Sequence, residues 1–369
     1  MALDQYYLLG TSGLRVSRLA LGTMNFGTGG YHAAYGKTLD ESRPILRRYL
    51  EDGGNFVDTA DFYTAGESET IVGKLLAEAK VRDRVVLTTK FTNSVAPGDP
   101  NAGGNGRKHM IRALEDSLRR LNTDYVDLFL LHTWDRLTPV EEVLRTFDDL
   151  VRSGKIRYAG LSDVPSWYAA QAQTLARAHS TSPMINLQLP YSLVERQLEV
   201  EHLAMAQTLG MGITAWSPLG GGFLSGKYRH DVVGGLAGDG RLATPGGSGY
   251  ESSERDWKLL EALESVADQV GVTMAQVAVN WVATQPGIAS AIVGASSAHQ
   301  LEDTMAALDF ELPAELRATL DEASAVAPES VYRMFTPGYQ SQLVNPGAKV
   351  GDQPVGYRPM VRNWLPQSA

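Results

Sequence analysis

The sequence predicts an α/β fold, a (β/α)8 TIM barrel. Eight short apolar or β-branched runs alternate with stretches of helical length. Polar residues fall at the C-terminal ends of consecutive runs, where such barrels carry function. A doubly wound open sheet is the competing arrangement, but it ordinarily carries GxGxxG after its first strand. Here that run ends LALGTMNFG.

Taken in order, the opening YYLLGTSGLRVSRL has two alternating runs around TSG, which predicts a hairpin capping the closed end of the barrel. Barrel strands are expected at 19–22, 55–59, 85–90, 126–132, 156–162, 185–189, 212–216 and 290–293. Helices are expected at 42–50, 68–79, 108–121, 140–153, 167–179, 196–209, 255–271 and 299–308, with an extra one at 274–284. Two segments stand outside the repeat. Residues 220–250, after strand seven, are Gly-rich and long for a βα loop. Residues 326–369 form a tail whose Tyr332, Phe335, Tyr339, Tyr357 and Trp364 call for burial on the barrel or on a neighbouring subunit in a homo-oligomer. The expected division is therefore a barrel over 1–325 and a tail over 326–369.

Composition narrows the class. Hydrophobic content of 43% is ordinary for a globular chain, and no apolar run approaches the roughly 20 residues of a membrane span. No basic stretch precedes an apolar core at the N-terminus, so no signal peptide is expected. The chain has no cysteine, which removes disulfides, thiolate metal sites and cysteine nucleophiles and fits a cytoplasmic setting. A net charge of −9 argues against nucleic-acid or anionic-membrane partners.

The strand ends carry the chemistry. The second strand ends in Asp58 with Tyr63 just beyond, the third in Lys90, the fourth in His132. Neighbouring strands lie about 5 Å apart, so these groups share one rim. Singly, each has an ordinary explanation as a cap or packing residue, but a lysine ending an apolar strand needs a partner or a task. The set suits proton donation. A tyrosine titrates about three units above neutral, so making it a good acid there takes about 4 kcal/mol of bias toward phenolate. One ammonium at ~4 Å and an effective dielectric of ~20 supplies about that. Lys90 would tune Tyr63, Asp58 would hold Lys90, and His132 would orient a substrate oxygen. Asp61 is read as a turn or cap residue. Hydride cannot come from a side chain, so the partner reaction needs a cofactor.

From LLGTSGLRVSRLALGTMNFG through NFVDTADFYTAGESETIVGKLL, VVLTTKF, RALEDSLRRLNTDYVDLFLLH, GKIRYAGLSD, QLPYSLVER, TAWSPLGGGFLSGKY and SAIVGASSAHQLEDT, the chain resembles the aldo-keto reductase superfamily. Within it, the pattern is similar to the branch of aryl-alcohol dehydrogenases, bacterial general aldo-keto reductases and potassium-channel β-subunits. The resemblance implies the tetrad Asp58, Tyr63, Lys90, His132 and a small-molecule carbonyl substrate. It further implies Gly22, Thr23, Met24 and Asp58 beside a nicotinamide, Ser162, Asp163 and Gln188 at its carboxamide, and Trp216 stacked on its ring. Ser217, Pro218, Leu219, Gly220, Gly222 and Lys227 would hold a pyrophosphate. Gly294, Ser296, Gln300 and Asp303 would meet the adenosine end, with Arg241 reaching over from the long loop. The cofactor implied is NADP(H). NAD(H) remains the alternative, because the segment after the last strand lacks the usual Arg or Lys and has only His299 as a candidate cation. The family ordinarily has Asn where this chain has Asp163, which, ionised, can only accept hydrogen bonds. Phe26, Tyr31, Trp134 and Tyr191 are expected to line a substrate pocket.

Overall fold

A computed structural model describes residues 2–230, 236–238, 240, 242, 252–327, 330–344 and 346–347. Its first two strands, β1 (Tyr6–Leu8) and β2 (Arg15–Ser17), pair antiparallel as the expected hairpin. The turn between them sits under the barrel: Thr11 N–H donates to Gly210 O at 2.9 Å. A Cβ on Gly10 would lie 2.6 Å from that same carbonyl oxygen, so the approach requires glycine.

Eight parallel strands close the barrel: β3 (Leu19–Gly22), β4 (Phe56–Asp58), β5 (Val86–Phe91), β6 (Val126–Leu131), β7 (Ile156–Ser162), β8 (Met184–Pro190), β9 (Gly212–Trp216) and β12 (Ile288–Val293), with β12 pairing to β3. Both faces of these strands are covered, which is why they read as continuous apolar runs rather than alternating ones. Short strands β10 (Arg229–His230) and β11 (Leu236–Ala237) pair within the Gly-rich segment. The helices are α1 (Leu39–Glu51), α2 (Glu67–Ala79), α3 (Arg107–Leu121), α4 (Val140–Arg152), α5 (Ser166–Ala178), α6 (His202–Leu209), α7 (Glu254–Val270), α8 (Met274–Ala283), α9 (Ala298–Met305) and α10 (Ala314–Ala323). Reciprocal side-chain caps start three of them: Thr38 with Glu41, Ser253 with Asp256, and Thr273 with Gln276.

Two shells of apolar packing follow from the strand alternation. Outside the barrel, strand residues meet the helices, as where Phe91 stacks on Phe129 at 5.0 Å with Phe147 edge-on. Inside, Phe56, Val86, Leu128, Ile185 and Ala289 form an apolar plug with Leu9 and Val16 of the hairpin, joined by Leu130 and Ile292 from nearer the C-terminal ends of β6 and β12. Above that plug the inward positions turn polar at Thr88, Asn186, Thr214 and Ser290, all buried. The open end is left for charged groups.

Two differences from the sequence reading have local causes. The helix expected at 196–209 breaks after the turn Gln197–Glu199, because the Arg196 guanidinium grips Glu199 at 2.9 Å and reaches Asp321 O and Ser324 Oγ at the end of α10. Helix α10 itself was not anticipated. It falls after the last barrel repeat, and Leu320 is its one buried residue, so its apolar periodicity is weak. In the tail, the turn Ser330–Phe335 is tethered where the Tyr332 hydroxyl donates to Glu201, whose other oxygen takes the Ser166 hydroxyl at the start of α5. Tyr357 and Trp364 lie outside the described residues. Among the described residues no helix is long and apolar enough to cross a membrane.

One side chain locks the first barrel strands to α1. The fully buried Tyr49 hydroxyl meets Ser17 Oγ at 2.8 Å, Leu19 O at 2.8 Å and both the N–H and C=O of Phe56. Its ring also lies where a Cβ on Gly54 would be, at 2.4 Å. Tyr49→Phe keeps the ring and orphans these buried groups, so denaturant unfolding should show a loss of roughly 1–3 kcal/mol. An unchanged midpoint would mean the strands re-satisfy themselves.

Candidate active site

The alternation that buries Phe56 and Val86 brings Asp58 and Lys90 to the inner face one and two steps higher. Lys90 is completely buried, and a lone ammonium there would be prohibitively costly. Each of its three donors has an acceptor: Asp58 Oδ1 at 2.5 Å, Thr59 O at 2.9 Å and Tyr63 Oη at 3.3 Å. Burial draws the Lys90 pKa down, but Asp58 and Tyr63 outweigh it and leave it raised, so the amine stays charged. The second Asp58 oxygen accepts from Gln188 Nε2 at 2.9 Å, across the barrel from β8. Gln188 therefore serves the Lys90–Asp58 pair through its amide nitrogen, a role the sequence reading did not give it.

Tyr63 returns to the rim because the loop after β4 turns sharply. Thr64 and Ala65 both sit in the left-handed region, with φ of 48° and 57°, a strained arrangement for residues with a Cβ. The turn is held by Thr64 Oγ1 donating to Phe26 O at 2.6 Å and by Ser68 Oγ donating to Thr23 O at 2.7 Å. The tuning argued from sequence needs correction. Burial raises the Tyr63 pKa by more than Lys90 lowers it, and Asp58 adds to the rise. An isolated ammonium beside a solvated phenol would lower it, but Tyr63 is 9% exposed and Lys90 already shares its charge with Asp58. The phenol is thus held protonated at neutral pH, with Lys90 in place to receive the charge when the proton leaves.

His132 follows β6 and stands edge-on to Tyr63 at 5.8 Å. Two neighbours escaped the sequence reading. Phe62 packs edge-on to His132 at 5.2 Å, and the Asn93 amide nitrogen lies 3.4 Å from His132 Nδ1. With Asn93 donating there, the proton of a neutral imidazole resides on Nε2. Neither position stands at a strand end, so strand alternation does not mark it.

The nicotinamide candidates lie on the same rim. Ser162 is buried at the end of β7, and Trp216, 36% exposed, ends β9. Asp163 accepts from Trp216 Nε1 at 3.0 Å. Thr23 is buried, its hydroxyl donating to Asp58 O at 3.0 Å, so it shapes the rim from beneath, while Gly22 and Met24 are half-buried. A Cβ on Gly22 would press to 2.9 Å from Ile292 Cγ2. Beyond Trp216, Ser217, Pro218 and Leu219 lead into Gly220, Gly221 and Gly222, whose φ values of 56°, 68° and 103° are consecutive left-handed turns. Ser217 Oγ accepts from Gly221 N at 2.9 Å. The exposed Lys227 ammonium lies 3.4 Å from where a Cβ on Gly222 would be. Side-chain-free backbone beside an exposed cation, which lies over the Tyr228 ring at 5.3 Å, suits a phosphate, so these residues fit a dinucleotide cofactor.

Past β12, Gly294 is exposed, and Gln300 Oε1 takes both Ser296 N–H at 2.8 Å and Ser296 Oγ at 2.6 Å. Asp303 is engaged by Gln276 of α8 at 3.0 Å, turned toward that helix rather than the mouth. Arg241 lies outside the described residues.

The substrate candidates separate. Phe26 and Tyr191 are core residues: Phe26 is fully buried, and Tyr191 packs on Trp281 at 5.3 Å with its hydroxyl on Glu199. Nearness in sequence to the rim did not imply facing it. The Tyr31 side chain lies outside the described residues. Trp134 is half-buried and meets Trp167, 55% exposed and not foreseen, edge-on at 5.3 Å, with Tyr168 behind.

Asp61 is neither solvated turn nor cap. It is buried, its N–H donates to Lys90 O, and neither carboxylate oxygen meets a donor at hydrogen-bond geometry. Burial and then Glu69 push it well above the carboxylate range, with Arg120 offsetting only part. The native state thus keeps a proton that the unfolded chain releases above about pH 4, so stability is lost as pH rises from there toward the folded pKa. Asp61→Asn carries no such proton. Its thermal midpoint, by calorimetry, should rise relative to wild type by an amount that grows from about pH 4 to pH 8. A constant difference would show that native Asp61 is ionised.

The comparisons agree with this geometry. A model of the Aldo/keto reductase family matches residues 18–325. An uncharacterized oxidoreductase of Bacillus subtilis (strain 168) is 36% identical over 86% of this chain and 95% of its own. An aryl-alcohol dehydrogenase of Pestalotiopsis microspora is 33% identical over 85% and 80%. A probable voltage-gated potassium channel subunit beta of Oryza sativa subsp. japonica is 34% identical over 87% and 96%. With the barrel, the buried Lys90–Asp58 pair and a match across most of its length, the chain belongs to the aldo/keto reductase family and is an oxidoreductase.

Proposed function

We propose that the protein is an NADPH-dependent reductase of aldehydes or ketones, with aryl carbonyls favoured over aliphatic or keto-sugar ones. The observation that carries this reading is the Lys90 ammonium donating to both Asp58 and the Tyr63 oxygen inside the barrel mouth. Bound nicotinamide would supply the hydride. The chain's own residues supply the proton. Tyr63 gives its phenolic proton to the carbonyl oxygen as that oxygen becomes an alkoxide, and the phenolate left behind is stabilised by Lys90. Asp58, braced by Gln188, keeps Lys90 charged and aimed. His132 Nε2–H donates a hydrogen bond to the same substrate oxygen. Ser162 and Trp216 would hold the nicotinamide, and the Ser217–Gly222 turn with Lys227 the pyrophosphate. At the adenosine end, Ser296, Gln300 and His299 offer hydroxyl, amide and imidazole rather than a fixed cation, so discrimination against NADH should be modest.

The aryl preference rests on Phe62, Trp134 and Trp167 around the mouth and on the aryl-alcohol dehydrogenase among the relatives. A second reading, a cofactor-binding regulatory subunit, is favoured by the potassium-channel relative. Purified protein with NADPH and 4-nitrobenzaldehyde, followed by cofactor absorbance, separates the two. Cofactor binding without turnover across a carbonyl panel would favour the regulatory subunit.

Tyr63→Phe should lower kcat for reduction by roughly 10²–10⁴-fold, the usual weight of a general acid, and leave cofactor affinity nearly unchanged. Surviving activity would remove Tyr63 from that role. Because Tyr63 titrates above its ordinary value, the acid stays protonated through neutral pH. At saturating NADPH, kcat for reduction should therefore hold level from about pH 6 to 8 and fall only in alkali, as a pH–rate profile would show. A fall beginning below neutrality would mean that the phenol is already depressed.

A further inference from the structure

We infer that Asp163 is a positioning residue: its carboxylate pins the Trp216 indole at the barrel mouth, and its protonation loosens that hold, so that nicotinamide binding weakens in mild acid. The inference rests on the nicotinamide reading above and concerns how this chain regulates that site.

An indole can only donate, so a tryptophan at an open rim is oriented by whichever acceptor faces its Nε1–H. Here the acceptor is Asp163 Oδ1 at 3.0 Å. The indole is 36% exposed, and Asp163 supplies its side-chain hydrogen bond. Asp163 is held at its backbone. Its backbone sits in the left-handed region at φ 44°, its N–H donates to Gln188 O at 3.2 Å, and its C=O takes the Trp134 N–H at 3.3 Å. The fixed backbone therefore sets the root of the carboxylate, and the Trp216 hydrogen bond sets its direction.

The acceptor is also titratable. Burial raises Asp163 to about 6, against the opposing pull of the Trp216 hydrogen bond and of Lys90. The charged and titratable groups around it are Lys90 from β5, Tyr63 from the loop after β4, whose ionisation Asp163 opposes, and His132 at the neighbouring strand end. Among the described residues, β8 and β9 bring the uncharged Gln188 and Trp216 to it. Above about pH 6 Trp216 meets a carboxylate, a strong acceptor. Below it, the indole meets a neutral acid whose acceptor strength is lower. Asparagine would present a carbonyl oxygen in the same place at every pH.

Two measurements test this. In the free protein, the Trp216 contribution, taken as wild-type minus Trp216→Phe emission, should shift with a midpoint near pH 6, and the shift should vanish in Asp163→Asn. In NADPH titrations followed by tryptophan quenching, wild-type affinity should fall roughly tenfold from pH 8 to pH 5, the weight of one hydrogen bond to a charged group. Asp163→Asn should bind well at both values and Asp163→Ala poorly at both. A Trp216 signal blind to pH and to Asp163→Ala would overturn the pinning. A Trp216 signal that titrates in a protein binding no nicotinamide cofactor at either pH would overturn the cofactor reading and the binding half of the inference.

Discussion

An ammonium buried without water must use every donor it has, and that requirement on Lys90 organises the open end of the barrel. Its three N–H groups select three acceptors from one stretch of chain, Asp58, Thr59 and Tyr63. The second carboxylate oxygen of Asp58 then needs a donor of its own and finds Gln188 on the far side of the barrel. The left-handed turn at Thr64 and Ala65 is strain accepted so that the phenol can complete the set. Tyr63 is thus placed by the electrostatics of its neighbour before any substrate arrives.

Such a group is tolerable only on a rigid base. The lower barrel supplies one, with Phe56, Val86, Leu128 and Ile185 filling it and the hairpin closing it below. Between plug and charge lies the layer of Thr88, Asn186, Thr214 and Ser290, in which Asn186 donates to Thr214 at 3.1 Å. Side chains climb from apolar to neutral polar to ionised within three inward positions of one strand, Val86, Thr88 and Lys90. The desolvation borne by Lys90 is therefore graded, and the Asp58 that pairs with it and the Gln188 that braces Asp58 both sit on rigid strands, with Tyr63 brought in by the loop after β4.

What could be read in the sequence follows the same division. Strand positions were legible because both faces are buried, which yields runs such as VVLTTK and VDLFLL that survive as β5 and β6. The Asp58, Lys90 and Tyr63 group was legible because parallel alternation fixes which strand-end residues share a face. Loop residues obey no such rule. Phe26 and Tyr191 follow strand ends as Trp134 does, yet both turn into the core, and nothing in their spacing marks the difference. Asn93 and Phe62 were missed for the converse reason, since their importance lies in touching His132. Energies were less legible than positions: the bias on Tyr63 depended on burial, which sequence spacing does not provide.

Asp61 and Asp163 show why a raised carboxylate pKa is not by itself a sign of a site. Burial is the leading cause in both. Asp61 looks outward, behind β5, toward Glu69, whose oxygens are already taken by Thr89 at 2.5 Å and Arg120 at 2.6 Å. Its carboxylate oxygens meet no donor, and no exposed ring or pocket residue depends on it for a hydrogen bond, so its titration bears first on stability. Asp163 sits on the inner rim with a specific donor on an exposed ring, so its charge state changes what the mouth presents. Asparagine would satisfy the packing at either position. Only at 163 does carrying an acid instead make a surface that responds to pH, and there the response would fall on the ring proposed to hold the nicotinamide.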